Sequence, residues 1–281
     1  MLYGLEASLQ DRRLDRPRVA LFNAADSTIV WETRLPDILD GLIPREGSAA
    51  SEYEGVSWGP AVVFAPDGSA LYIVHADEEK LTTVDFVKRT TRAVEIRSPQ
   101  SWLDRLMALT AGVAHAKTWD WTLKQAVISL DGQWLYVVGE TSASWQNANG
   151  ESQVTQTPLG LQVIEASTGT EIVRRDSEAT QISIAPDGTR LYLQGWVKQW
   201  TKRELYQEPW TEVRDAGSLE VIAHLAGRHV VPARRLAGQP ILLSSYMRGD
   251  EQTDLTALDA ESLDEIYAWS VKGVASWLAA P

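Results

Sequence analysis

The chain is expected to be all-β, folding as a single β-propeller across residues 1–281, and three observations predict this. First, a two-strand unit recurs as Val62–Val74, Ala126–Val138 and Ile182–Leu193. Each copy is an apolar strand, an Asp-Gly turn and a second strand that opens on Leu-Tyr. Second, a later half-unit recurs in which an apolar strand ends in an acidic or amide residue. Third, the two ends of the chain read as complementary pieces of one unit. Internal repeats of this spacing decide architecture more firmly than any single residue.

The Asp-Gly turns are Asp67-Gly68, Asp131-Gly132 and Asp187-Gly188. Glycine supplies the left-handed backbone that such turns need, and Asp caps the amide two residues on. A degraded copy spans Val230–Ser244, with Ala237-Gly238-Gln239-Pro240 in place of the turn. The later half-units end at Asn23, Asp85, Glu165, Asp215 and Asp259, each followed by a further strand. Those side chains are expected to stabilise turns rather than to form a ring of catalytic acids.

Two strands from each half make a four-stranded unit, A to D, and such units repeated about an axis are propeller blades. Met1-Leu2-Tyr3-Gly4 reads as the start of a strand B. Val274–Pro281 reads as a strand A that stops at the Pro of its turn. Closure by this C-terminal strand would give five four-stranded blades and remove two exposed edges. The alternative is a fragment of a six- or seven-bladed propeller.

The segment Ala65-Pro66-Asp67-Gly68-Ser69-Ala70-Leu71-Tyr72-Ile73-Val74, followed by Leu81-Thr82-Thr83-Val84-Asp85, resembles the YVTN-type repeat. Residues 126–138 with 161–174, and 182–193 with 211–225, resemble weaker copies. The resemblance implies a propeller and hardly specifies an activity. It also implies an extracytoplasmic location, although the start Met1-Leu2-Tyr3-Gly4-Leu5-Glu6 has no signal-peptide pattern. Members of this family often act in binding, and related propellers are lactonases or dehydrogenase subunits. The chain departs from the repeat in its long insertions.

Composition narrows the partners. Net charge is −12 and no basic cluster stands out, which argues against nucleic acid and anionic membrane surfaces. No apolar run reaches the length of a membrane span, so direct membrane insertion is not expected. The absence of cysteine removes disulfides, thiolate metal sites and a cysteine nucleophile. No cofactor or metal motif is present: phosphate-binding Gly loops, a Gly-x-Ser-x-Gly elbow and paired-histidine spacings are all missing.

The long insertions are 36–56, 98–118, 140–158 and 194–209, all expected on the face opposite the short A–B turns. Loops on a rigid scaffold commonly carry binding function. The chain has 12 Trp against 3 Phe, and Trp58, Trp119, Trp121, Trp145, Trp196 and Trp200 lie in or beside these insertions. Trp is a typical interface anchor. These six are the expected contacts for another protein, with carbohydrate as an alternative ligand. Residues 101–113 carry an amphipathic pattern after Pro99, which predicts one short helix within an insertion.

A catalytic alternative is a glycosidase- or lactonase-like hydrolase at the channel mouth. Its acids would be Asp120 and Glu140, with Glu178 a further candidate and His115 nearby, since glycosidases need two carboxylates facing across the substrate. No motif singles these residues out, and the four histidines, His75, His115, His224 and His229, are expected to be packed or superficial.

Overall fold

The computed structural model describes residues 2–4, 17–23, 25–35, 37–44, 55–98, 117–146, 152–200, 205–234, 238–248 and 252–272. These form two compact units, Met1–Ser177 and Glu178–Pro281. The described residues are all-β, without a helix.

The first unit stacks three sheets. The first holds β1 (Leu2–Gly4), β2 (Arg18–Phe22) and β3 (Ile29–Arg34) as an antiparallel meander. Strands β4 (Gly41–Pro44) and β5 (Gly55–Gly59) follow. The second sheet is the four-stranded meander β6 (Ala61–Phe64), β7 (Ala70–Val74), β8 (Lys80–Asp85) and β9 (Thr90–Glu95). The third contains β10 (Lys117–Ile128), β11 (Trp134–Gln146), β12 (Ser152–Pro158), β13 (Leu161–Glu165) and β14 (Glu171–Arg175). Its order is β14-β13-β11-β10-β5-β4, and β12 also pairs with β11.

Alternation along β7 explains the stacking, because successive side chains leave opposite faces of a strand. Leu71 and Ile73 pack with Val19, Leu35 and Val84 against the first sheet. Tyr72 and Val74 pack with Ile128, Leu135 and Ile164 against the third. The middle sheet is therefore covered on both faces.

The second unit has two four-stranded meanders. One is β15 (Gln181–Ile184), β16 (Arg190–Trp200), β17 (Leu205–Asp215) and β18 (Val221–Ala226). The other is β19 (Val231–Arg234), β20 (Pro240–Arg248), β21 (Gln252–Asp259) and β22 (Glu265–Lys272). Tyr192, Val213, Val230, Leu242 and Leu258 fill the core between them.

The A–B turns are alike in geometry. Asp67, Asp131 and Asp187 accept from the amides of Ser69, Gln133 and Thr189 at 2.9–3.0 Å. Gly68, Gly132 and Gly188 hold φ between 70° and 75°. The expected capping role of the later acidic and amide residues also holds for Asn23, Asp85, Asp215 and Asp259, whose side chains accept from nearby turn amides. Four residues after the capping position of each C–D turn stands a left-handed residue: Ser27, Arg89, Gly169, Leu219 and Leu263. Only one is a glycine, so composition alone hides this recurrence.

Two of the predicted loops are sheet instead. Residues 140–146 continue β11 and residues 152–158 form β12, in register from Glu140↔Pro158 to Gln146↔Ser152. Residues 194–200 continue β16 and residues 205–209 belong to β17, in register out to Trp200↔Leu205. Their β-branched and aromatic residues suit a pleated ribbon, and ladder pairing satisfies backbone groups that a loop would leave to water. The 36–56 insertion carries β4 and β5, and β5 joins the third sheet parallel to β10. The predicted helix at 101–113 and the proposed closing strand at 274–281 lie outside the described residues.

Candidate functional site

In each four-stranded sheet the B–C end lies opposite the A–B turn, and the extended ribbons grow from that end. The predicted tryptophans are distributed over them by strand parity. On the β10–β5 pair, Trp119 and Trp121 stand opposite Gly55 and Ser57, whereas Trp58 stands opposite Thr122. Trp58 therefore occupies the other face of the sheet from Trp121. Trp145 is opposite Lys117, across an irregularity in the register. In the second unit Trp196 stands in register with Pro209 and Trp200 with Leu205 on the β16–β17 ribbon.

Trp196 is the best-defined member of the set. It is 39% exposed. Its ring meets His229 edge-on, with centroids 4.5 Å apart and planes at 69°. His229 Nε2 donates to the Gly195 carbonyl at 2.8 Å, which places the proton of the neutral ring on Nε2 because a carbonyl only accepts. Burial pushes the His229 pKa down, and the Gly195 hydrogen bond opposes that shift. Gly195 is required at its place: a Cβ there would lie 2.5 Å from Cζ2 of Trp210. Trp210, Gly195, His229 and Trp196 thus form one locked corner that presents an indole to solvent.

The predicted acids do not form a facing pair. Glu140 stands opposite Leu123 and Asp120 opposite Ala143. Positions 120 and 123 have opposite parity along β10, so residues 120 and 140 are not cross-strand partners. Glu178 is exposed, and His115 lies outside the described residues. Among the described residues no cluster of His, Asp and Glu is arranged to hold a metal.

Sequence reasoning missed a buried polar cluster at the turn between β7 and β8. His75 is fully buried and its Nε2 is hydrogen bonded to Thr82 Oγ1 at 2.8 Å. Its Nδ1 faces Asp77 Oδ1 at 3.9 Å, and neither atom has a hydrogen-bond partner. The order Asp77–His75–Thr82 resembles a nucleophile relay, but Thr82 is 4% exposed and offers no surface to a substrate. The group instead pins the turn between β7 and β8. Burial pushes the His75 pKa down, against the pull of Asp77.

Lys124, on β10, is 8% exposed. Burial lowers its pKa, while Glu79 and Asp77 act in the opposite sense. The signal for it was available: Lys124 shares strand parity with Ala126 and Ile128, which face the core. Glu171 is 2% exposed and receives Arg174 Nη2 at 2.7 Å and Gln162 Nε2 at 2.8 Å. Burial pushes its carboxyl up, but Arg174 and the hydrogen bonds from Gln162 and Ser98 hold it below the ordinary value.

No family model matches the chain. No curated protein matches it either. Several solved structures are similar. One is the β-propeller domain of Myceliophteria thermophila Cps50 (Swd1), at 11% identity, 95% of this chain, 72% of that chain and a TM-score of 0.49. Another is Kuenenia stuttgartiensis hydrazine synthase, at 17% identity, 81% of this chain and a TM-score of 0.45. The chain spans about half of that protein's length, 53%. A third is a putative 6-phosphogluconolactonase from Bacteroides fragilis, at 12% identity, 96% of this chain, 77% of that chain and a TM-score of 0.40. These likenesses carry no activity to this chain.

Proposed function

We propose that the chain is a non-catalytic binding module of β-propeller type that holds a partner protein at the B–C ends of its blades. The propeller reading, with five blades closed by the C-terminal strand, is supported by the recurring C–D turns and by successive face-packed meanders. The observation that carries the binding role is Trp196, an exposed indole whose orientation is set by His229 and, behind it, by Gly195 and Trp210. An aromatic side chain already ordered before contact loses little freedom on binding, which is what an interface anchor requires. The hydrolase alternative loses support from the opposite parity of Asp120 and Glu140.

The test compares wild type with Trp196→Ala and with Trp196→Ala/Trp200→Ala. A partner captured by crosslinking is identified, purified and titrated by calorimetry. Loss of an anchor should weaken binding by about 2 kcal/mol or more, with circular dichroism and melting unchanged. Affinity of Trp196→Ala equal to that of wild type would refute the assignment.

A further inference from the structure

The last sheet of the second unit ends on β22, and that strand differs from the strands that end the other sheets, β3, β9, β14 and β18. It is eight residues long, against five or six in those four. Its Tyr267 and Trp269 are 62% and 41% exposed, whereas none of the other four strands carries an exposed aromatic side chain among the described residues. Both stand in register with buried residues of β21, Tyr267 with Ala257 and Trp269 with Leu255. The two rings therefore carry the apolar face of the sheet out to its rim. Outer strands commonly avoid pairing through charge or proline, yet Ile266–Val271 contains neither. The one irregularity in the β21–β22 register, between Ala257 and Leu258, touches only the start of β22.

We infer that β22 is the contact between two copies of this chain, paired antiparallel about Ala268 into one continuous eight-stranded sheet. The strand's self-complementarity points to a second copy. An exposed Glu265 opens it and an exposed Lys272 closes it. Antiparallel pairing sets Glu265 of each copy beside Lys272 of the other, whereas parallel pairing would set like charges together. A two-fold axis perpendicular to the sheet leaves both copies showing the same face, so residues of equal parity meet. With the axis at Ala268, Tyr267 of each copy lies opposite Trp269 of the other, which gives two aromatic cross-strand pairs. The contact is isologous and occupies the edge of both copies, so assembly stops at a dimer. One strand edge is a small surface, which makes the dimer weak and concentration-dependent. It uses no residue of the Trp196 corner and stands independently of the protein-binding reading.

Sedimentation velocity of the full chain from about 1 µM to about 1 mM, the range of weak association, should show the 31.1 kDa monomer giving way to a dimer. Glu265→Lys and Lys272→Glu each set like charges together at both ends of the contact and should weaken dimerisation about threefold to tenfold. An equimolar mixture of the two single variants should recover it as a mixed dimer, and the double variant Glu265→Lys/Lys272→Glu should recover it alone, because each again places unlike charges side by side. Trp269→Thr removes both aromatic pairs and should weaken dimerisation about tenfold. Trp196→Ala should dimerise as wild type does, and circular dichroism should be the same for every variant. The inference is overturned if the chain stays monomeric throughout this range, if any of the three β22 single variants dimerises as wild type does, if the mixture or the double variant fails to recover, or if Trp196→Ala weakens the dimer.

Discussion

Replacing Lys124 by Met is expected to stabilise the chain at neutral pH. Lys124 stands on the face of β10 that packs with Ala126 and Ile128 on the middle sheet, and only 8% of it is exposed. Met keeps an unbranched side chain of similar length and removes the charge. The direction follows from the ammonium's surroundings: burial lowers the lysine pKa in spite of Glu79 and Asp77, so desolvation costs more than the carboxylates return. Exchanging buried charged groups for apolar ones of similar volume gains about 1–4 kcal/mol. The two carboxylates place this case near the low end, about 1–2 kcal/mol. For a unit the size of Met1–Ser177 that corresponds to a rise in Tm of about 2–8 °C. The pH dependence supplies a second check. Between the depressed folded pKa and the ordinary value of 10.5, the unfolded lysine binds more protons than the folded one. Wild-type stability therefore rises with pH across that window relative to the variant. Calorimetric melts from pH 7 to pH 10 should show the advantage of Lys124→Met at neutral pH and its narrowing toward pH 10. A lower Tm for the variant at pH 7, or a gap that widens with pH, would show that the ammonium is a net stabilising partner of Asp77 and Glu79.

Three other outcomes are expected. Glu171→Ala strands the half-buried Arg174 and should cost about 2–4 kcal/mol in urea unfolding at pH 7; because the folded Glu171 pKa lies below 4.5, wild type should lose this advantage as pH falls through that folded value, and a constant difference down to pH 3 would contradict the assignment. Gly139→Ala would bring a Cβ to 2.2 Å from the Leu123 carbonyl oxygen and 3.1 Å from Lys124 Cα, forcing β10 and β11 apart at a cost of about 2–3 kcal/mol; a Tm within one degree of wild type, ~0.3 kcal/mol or less on the same scale, would rule this out. His229, with its pKa depressed by burial, should titrate below 6.5 when its ring protons are followed by NMR, and stability should fall as pH drops from 6.5 toward that midpoint because the unfolded ring takes up its proton first; a midpoint at or above 6.5 would mean that the Trp196 corner is more open than the structure shows.

Local chemistry was readable along the chain. Asp67-Gly68, Asp131-Gly132 and Asp187-Gly188 carry their turn in two adjacent residues, and each folds as that pair dictates. The alternation of Leu71, Tyr72, Ile73 and Val74 likewise announces a strand covered on both faces. The left-handed residues Leu219 and Leu263 were not readable, because a side-chain cap and a turn hydrogen bond, rather than glycine, accompany their backbone. The ribbons at 140–158 and 194–209 read as loops because their pairing extends strands far beyond the repeat unit.

Residue type and short-range spacing, then, were enough for the strands, the turns and the all-β class, since each depends on neighbours a few positions away. Which side chains meet was settled by packing between sheets. Arg190 reaches Ala260, and the buried Lys124 feels the charges of Glu79, Arg174 and Asp77, across separations that no local pattern records. Burial and charge at those junctions arise only when one sheet covers another. The parity that separates Asp120 from Glu140, and the lock that holds Trp196, belong to the same level.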